Sequence, residues 1–176
     1  MQQLWTGPFQ PAHIADGSAL ASSTTLTDIS PSPPIVVPAN FLAPGMALRV
    51  RAAGRVSTTS TPTLLLGVYV GGVAGTAICT TGAITTTSGV TNVTWGLEAW
   101  VVCRTIGSSG TVLGTGLAHG ISGTVGVSTV PLPASAPATV TWDSTAAKSL
   151  TIGAQWGTSS ASNTITCHQF IVEVIG

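Results

Sequence analysis

From Ser22 onward, short runs rich in Thr, Val and Ile alternate with clusters of Gly, Pro and Ser at intervals of about 8–12 residues. That punctuation constrains the fold more than any other feature of the chain. No segment keeps the 3.6-residue apolar spacing of a helix over a useful length, so the chain is expected to be all-β. With 176 residues it is long enough to bury one full core, and it is expected to form a single domain after an N-terminal arm.

The expected strands follow from alternation. Thr24–Ile29 is a first strand, closed by the proline-rich stretch Pro31–Pro34, because proline lacks a ladder donor. Ala47–Ser57 alternates cleanly, with Leu48, Val50 and Ala52 on one face and Arg49, Arg51 and Ala53 on the other. Thr63–Val70 is almost continuously apolar, and Thr76–Thr81 is expected to pair with Ala83–Ser88. Asn92–Ile106 is the longest candidate, with Trp95, Leu97, Ala99, Val101 and Cys103 opposite Glu98, Trp100, Val102 and Arg104. It turns at Gly107–Gly110 into Thr111–Ala118. A short strand is expected at Thr124–Val130 and another at Ala138–Trp142. Ser149–Trp156 alternates, and Asn163–Ile175 closes the domain, with Phe170, Val172 and Val174 expected opposite Cys167, Gln169, Ile171, Glu173 and Ile175. About eight to ten strands with long proline-rich crossovers point to an antiparallel, jelly-roll-like β-sandwich over 22–176. The arm, 1–21, shows no period and carries Trp5, Phe9 and Ile14 among Gly, Pro and polar residues, the composition of a docking segment; the alternative is an arm packed back on its own domain.

Charge is scarce. Five basic and five acidic residues make up 6% of the chain and cancel, against about 25% in a typical soluble domain. Five basic residues cannot displace counterions along a nucleic-acid backbone, so nucleic acid is excluded as a partner. The apolar runs are too short and too interrupted for a spanning helix, and no apolar core of an export signal follows Met1, so neither membrane nor secretion is expected. A chain with so little surface charge is expected to hide surface against other copies or a larger assembly; the alternative is a monomer kept soluble by hydroxyls.

Most of the charge falls on strands. Arg49, Arg51, Glu98, Arg104 and Glu173 are therefore candidates for an oligomer interface, with Arg49 or Arg51 pairing with Glu98 or Glu173 through the guanidinium fork. Of five tryptophans, Trp95 and Trp156 share faces with aliphatic residues and read as core, whereas Trp100 and Trp142 are candidates for an exposed carbohydrate contact.

Catalytic motifs are absent. Gly120-Ile121-Ser122-Gly123-Thr124 misses the last glycine of a nucleophile elbow, Lys148 does not follow a glycine as a phosphate-binding loop requires, and Gly114-Thr115-Gly116 has no third glycine at 119. Cys79, Cys103 and Cys167 are odd in number and match no zinc spacing, so they read as buried thiols of a reducing compartment. Cys167 and His168, adjacent on a strand, point to opposite faces and chelate poorly, so His168 reads as a packed or interface residue. Asp143 reads as a turn residue capping its own backbone. No enzyme activity, metal or cofactor is expected.

Several stretches carry a resemblance. Asp16-Gly17-Ser18-Ala19-Leu20, Leu26-Thr27-Asp28-Ile29-Ser30-Pro31, Leu48-Arg49-Val50-Arg51-Ala52-Ala53-Gly54-Arg55, Trp142-Asp143-Ser144-Thr145-Ala146-Ala147-Lys148 and Cys167-His168-Gln169-Phe170 together resemble the small virion proteins of tailed bacteriophages, especially those of actinobacterial hosts. Such proteins are labelled minor tail, minor capsid or head decoration proteins. The resemblance covers most of the chain and implies a jelly-roll-like sandwich, a homotrimer, and a place on the virion surface after assembly in the bacterial cytoplasm. The implied partner is the major capsid protein, clamped through many weak contacts at once, with the arm as anchor. It brings no catalytic residues. The alternative is a tail-fibre or baseplate adhesin, which would contact tail proteins and bind host-surface sugar; a third reading is a cellular β-sandwich lectin.

Overall fold

The computed structural model describes residues 13–121 and 128–175. Trp5 and Phe9 therefore lie outside the described residues, as does most of the strand expected at Thr124–Val130.

Twelve strands are present among the described residues, and they form two antiparallel sheets, a β-sandwich. In chain order they are β1 (Thr27–Asp28), β2 (Ile35–Val37), β3 (Ala47–Thr58), β4 (Thr63–Val70), β5 (Thr76–Thr80), β6 (Ile84–Thr85), β7 (Val90–Thr105), β8 (Thr111–His119), β9 (Thr129–Leu132), β10 (Thr139–Thr141), β11 (Lys148–Trp156) and β12 (Thr164–Ile175). The smaller sheet runs β1–β11–β4–β5, with β2 also on β11 and β6 on β4. The larger runs β10–β8–β7–β3–β12, with β9 also on β8.

The larger sheet is built from the strands whose alternation is cleanest. Along β3, Leu48, Val50, Ala52 and Val56 are buried while Arg49, Arg51, Ala53 and Arg55 point outward, as the sequence predicts. Along β7, Trp95, Leu97, Ala99, Val101 and Cys103 line the core. They meet Leu64, Leu66 and Val68 of β4 and Leu150, Ile152, Ala154 and Trp156 of β11 in one continuous cluster. β4 and β11 are buried along almost their whole length, which explains their near-continuous apolar sequence. Trp95 and Trp156 are core residues, and each indole N–H finds a backbone acceptor, the carbonyls of Thr166 and Leu20.

Three expectations need correction. The first strand shortens to Thr27–Asp28, paired with Ala154 and Gly153. Ile29 then turns into the core, and the Ser30 hydroxyl accepts from the Ile152 amide, so the rest of the segment follows β11 without a ladder. Ala83–Ser88 does not pair with Thr76–Thr81. A turn through Gly82, at φ 65°, returns the chain to the other end of β4, where Ile84 and Thr85 pair with Leu64 and Thr63. The closing strand does not alternate uniformly. A β-bulge between Cys167 and Gln169 puts Cys167 on the same buried face as Phe170 and Val172, and leaves Gln169, Ile171, Glu173 and Ile175 outward.

Residues 13–20 form a strap along the free edge of β12. The Gly17 amide donates to the Cys167 carbonyl, and Leu20 and Ile165 exchange backbone hydrogen bonds. His13 stacks on Phe170 and bonds its carbonyl, and Asp16 meets His168 Nδ1 at 2.9 Å. The strap occupies edge groups that would otherwise be open to another strand.

Candidate functional site

The outward face of the larger sheet concentrates the polar chemistry of the chain. The strand register lays it out in rows. One row runs Leu117 (β8), Glu98 (β7), Arg51 (β3), Ile171 (β12). The next runs Thr115, Trp100, Arg49, Glu173, and the third Leu113, Val102, Ala47, Ile175. On the other side of the first row lies His119, Gly96, Ala53, Gln169.

Arg49 organises the middle of this face. Its Nε and Nη2 both reach Glu98 Oε1 at 2.8 Å, and its Nη1 lies 3.8 Å from Glu173 Oε2. Its guanidinium carbon sits 5.5 Å from the centre of the Trp100 ring, a cation–π contact. Arg49 thus ties β7 to β12 across β3 within one chain. The pairing expected of Arg49 with Glu98 and Glu173 is present as an intrachain network. Arg51 is exposed and, although directly across from Glu98 in register, makes no bond to it. Arg104 is exposed at the bulge near the end of β7, away from the network. Arg55, on the same face, donates through Nη1 to the Asn92 carbonyl and to the Thr94 hydroxyl.

Among the described residues, four of the six exposed large hydrophobic residues belong to this face: Trp100, Leu117, Ile171 and Ile175. Ile106 lies beyond the end of β7, and Ile14, 90% exposed, begins the strap. Trp142 is not an exposed aromatic: it is 2% exposed. Its amide donates to the Gly110 carbonyl, and the chain turns inward there after β10, so its ring joins the core. A sugar contact at Trp142 is overturned, and Trp100 alone of that pair remains at the surface.

A groove of about 340 Å³ opens on the same face around Gly96 and Ala53. Arg51, Glu98, Thr94, His119, Gln169 and Ile171 stand around it. A Cβ on Gly96 would lie 2.4 Å from the His119 ring, so the imidazole rests over the glycine backbone and depends on its lack of a side chain. Gln169 and His119 carry no local sequence signal that marks them as site residues. The β12 bulge cannot be read from alternation, and the His119–Gly96 contact is a register pairing between strands.

The other titratable groups are structural. Cys79, Cys103 and Cys167 are free and buried. Burial pushes the Cys79 and Cys167 thiols up to about 12, so both stay protonated and unreactive. Asp143 caps its turn by accepting from the Thr145 amide at 3.0 Å and hydroxyl at 2.6 Å, and these bonds hold its carboxyl below the usual range. Among the described residues no three His, Cys, Asp or Glu side chains converge as a metal ion requires, and no helix is long and apolar enough to cross a membrane. Comparison with protein-family models, with curated proteins and with solved structures finds no match to this chain.

Proposed function

We propose that this chain is a structural protein of a bacteriophage particle: a homotrimeric, jelly-roll-like decoration protein on the capsid surface that bridges neighbouring major capsid subunits. The reading is non-enzymatic and needs no cofactor. One observation carries it. The outward face of the larger sheet gathers Trp100, Leu117, Ile171 and Ile175 around the Arg49–Glu98–Glu173 network, on a chain with only five basic and five acidic residues. Aromatic and arginine side chains beside one another are the composition of protein contact surfaces. The resemblance of the sequence to small virion proteins supports the same reading. On it, the contact between copies centres on Trp100, Arg49 and Ile175, while the segment before residue 13, with Trp5 and Phe9, anchors the particle. Ile14 at the head of the strap stands free to join that anchor.

The test is the solution mass of the purified chain by light scattering, followed by sedimentation with capsids of the phage that encodes it. The expected mass is three times 17.5 kDa, reduced to one chain by Trp100→Glu without loss of fold. Deleting residues 1–12 is expected to leave the trimer intact and abolish capsid binding. A parent chain that is monomeric at every concentration and stays in the supernatant with capsids would overturn the proposal.

A further inference from the structure

We propose that the groove over Gly96 and Ala53 binds a carboxylated sugar, with Arg51 taking the carboxylate. The inference goes beyond the virion reading and does not depend on it. Trp100 lies two rows away, about 13 Å along the strands, so a contact between copies centred there leaves the groove at its edge.

Two neighbouring arginines of β3, Arg49 and Arg51, differ in their partners. Arg49 donates twice to Glu98 Oε1 and also faces Glu173, so its charge is met within the chain. Glu98 Oε1 is thereby occupied, and Oε2 is left to accept. Arg51 has no partner among the described residues, although Glu98 lies directly across from it. Its planar fork is therefore free on the groove wall, and a carboxylate is the group that fork matches with two parallel bonds.

The rest of the groove asks for more than a bare carboxylate. Its floor is low and flat because Gly96 and Ala53 are small, and Ile171 gives one apolar wall. A volume of about 340 Å³ is at the lower end of small-molecule sites and suits one sugar ring. The Gln169 amide and the His119 ring make no hydrogen bond to any described residue, and both border the same space. With Glu98 Oε2 they supply a mixed set of donors and acceptors, as ring hydroxyls require. The bulge in β12 brings Gln169 to this row, opposite Ala53.

The test is a ¹H–¹⁵N TROSY titration of the full chain with D-glucuronate, with D-glucose and acetate as the contrasting probes. Glucuronate is expected to shift the amides of Ala53, Gly96 and Gln169 saturably in the millimolar range, at least tenfold more tightly than either contrast. Arg51→Ala is expected to remove that preference without moving the melting temperature, since Arg51 is exposed and unbonded. Gly96→Ala is expected to displace the His119 ring and weaken glucuronate binding. Equal shifts from glucose would overturn the role of Arg51, and equal shifts from acetate would overturn the sugar. No saturable shift up to about 50 mM, or binding unchanged in Arg51→Ala, would overturn the site itself.

Discussion

Gly54→Ala is expected to be among the most damaging single-methyl additions in this protein, and the structure gives its size. Gly54 lies in the middle of β3, between Trp95 on β7 and Cys167 on β12. A Cβ there would lie 1.8 Å from the Thr166 carbonyl oxygen and 2.9 Å from the Cys167 Cα, where ordinary contact begins near 3.4 Å. The obstacle is backbone, so no rotamer change relieves it, and β12 must retreat. Thr166 is also the acceptor for the Trp95 indole N–H, at 3.1 Å in the core. Overpacking costs about 1–3 kcal/mol. Losing the buried indole bond adds about 1–3 kcal/mol. Relief of glycine's chain entropy returns about 0.5–1 kcal/mol. The net expectation is a loss of about 1–5.5 kcal/mol, or roughly 3–16 °C in melting temperature at about 3 °C per kcal/mol for a domain of this size. Urea unfolding followed by tryptophan fluorescence reads it directly, because Trp95 reports on the altered contact. A variant within about 0.5 kcal/mol of the parent, with the same slope in urea, would refute the reasoning.

Three further outcomes follow from the buried thiols and the ion network. In the native protein a thiol reagent at pH 8 is expected to find no reactive cysteine, and three after denaturation, since all three are buried. Because the folded protein holds the Cys79 and Cys167 protons up to about 12, against an ordinary value of 9.0, it binds more protons than the unfolded chain between those limits. Their contribution is full below pH 9 and is lost as pH rises towards 12, so unfolding free energy measured in that window should fall with pH. Arg49→Ala is expected to cost under about 1 kcal/mol in urea unfolding, because Arg49 and its two carboxylate partners are all partly solvated, about a third or more exposed. A loss of several kcal/mol there would show the network to be a fold determinant rather than a surface feature.

The all-β class and the inward faces of β3 and β7 were legible in the sequence because alternation is a local signal, set by the pleat and by one buried side. The same signal placed Arg49, Arg51, Glu98 and Trp100 on outward positions and left open whether Arg49 or Arg51 pairs with Glu98 or Glu173 at a contact between copies; the pairing falls to Arg49, within one chain. It failed where one residue breaks the period. The extra residue at His168 shifts the phase of β12, so Cys167 joins the core and Gln169 reaches the groove. At Trp142 the alternation holds but is too short to read: Val140 packs against the core and Trp142, two residues on, follows it inward, yet the strand Thr139–Thr141 has only three residues. Pairing partners such as β6 with β4 are tertiary choices, and a strand of two residues carries too little pattern to announce them.

The distribution of charge bears on symmetry. On the outward face of the larger sheet, Arg49, Arg51 and Arg55 stand against Glu98 and Glu173, an excess of one cation. Asp28 lies on the outer strand of the other sheet and Asp16 on the strap. Two copies meeting through this face about a two-fold axis would oppose two surfaces of the same net positive charge. A cyclic trimer imposes no such match, because each copy presents one surface and receives a different one. On the proposed assembly, the arginine-rich face of one copy can meet a surface of its neighbour that carries Asp28 or Asp16. The same excess of cation favours a carboxylate at Arg51, the arginine of β3 that has neither an ion pair nor a hydrogen bond among the described residues. Oligomer contact and ligand groove then draw on one cause: β3 places three arginines at alternate positions of a strand, and the neighbouring strands supply only two glutamates to answer them.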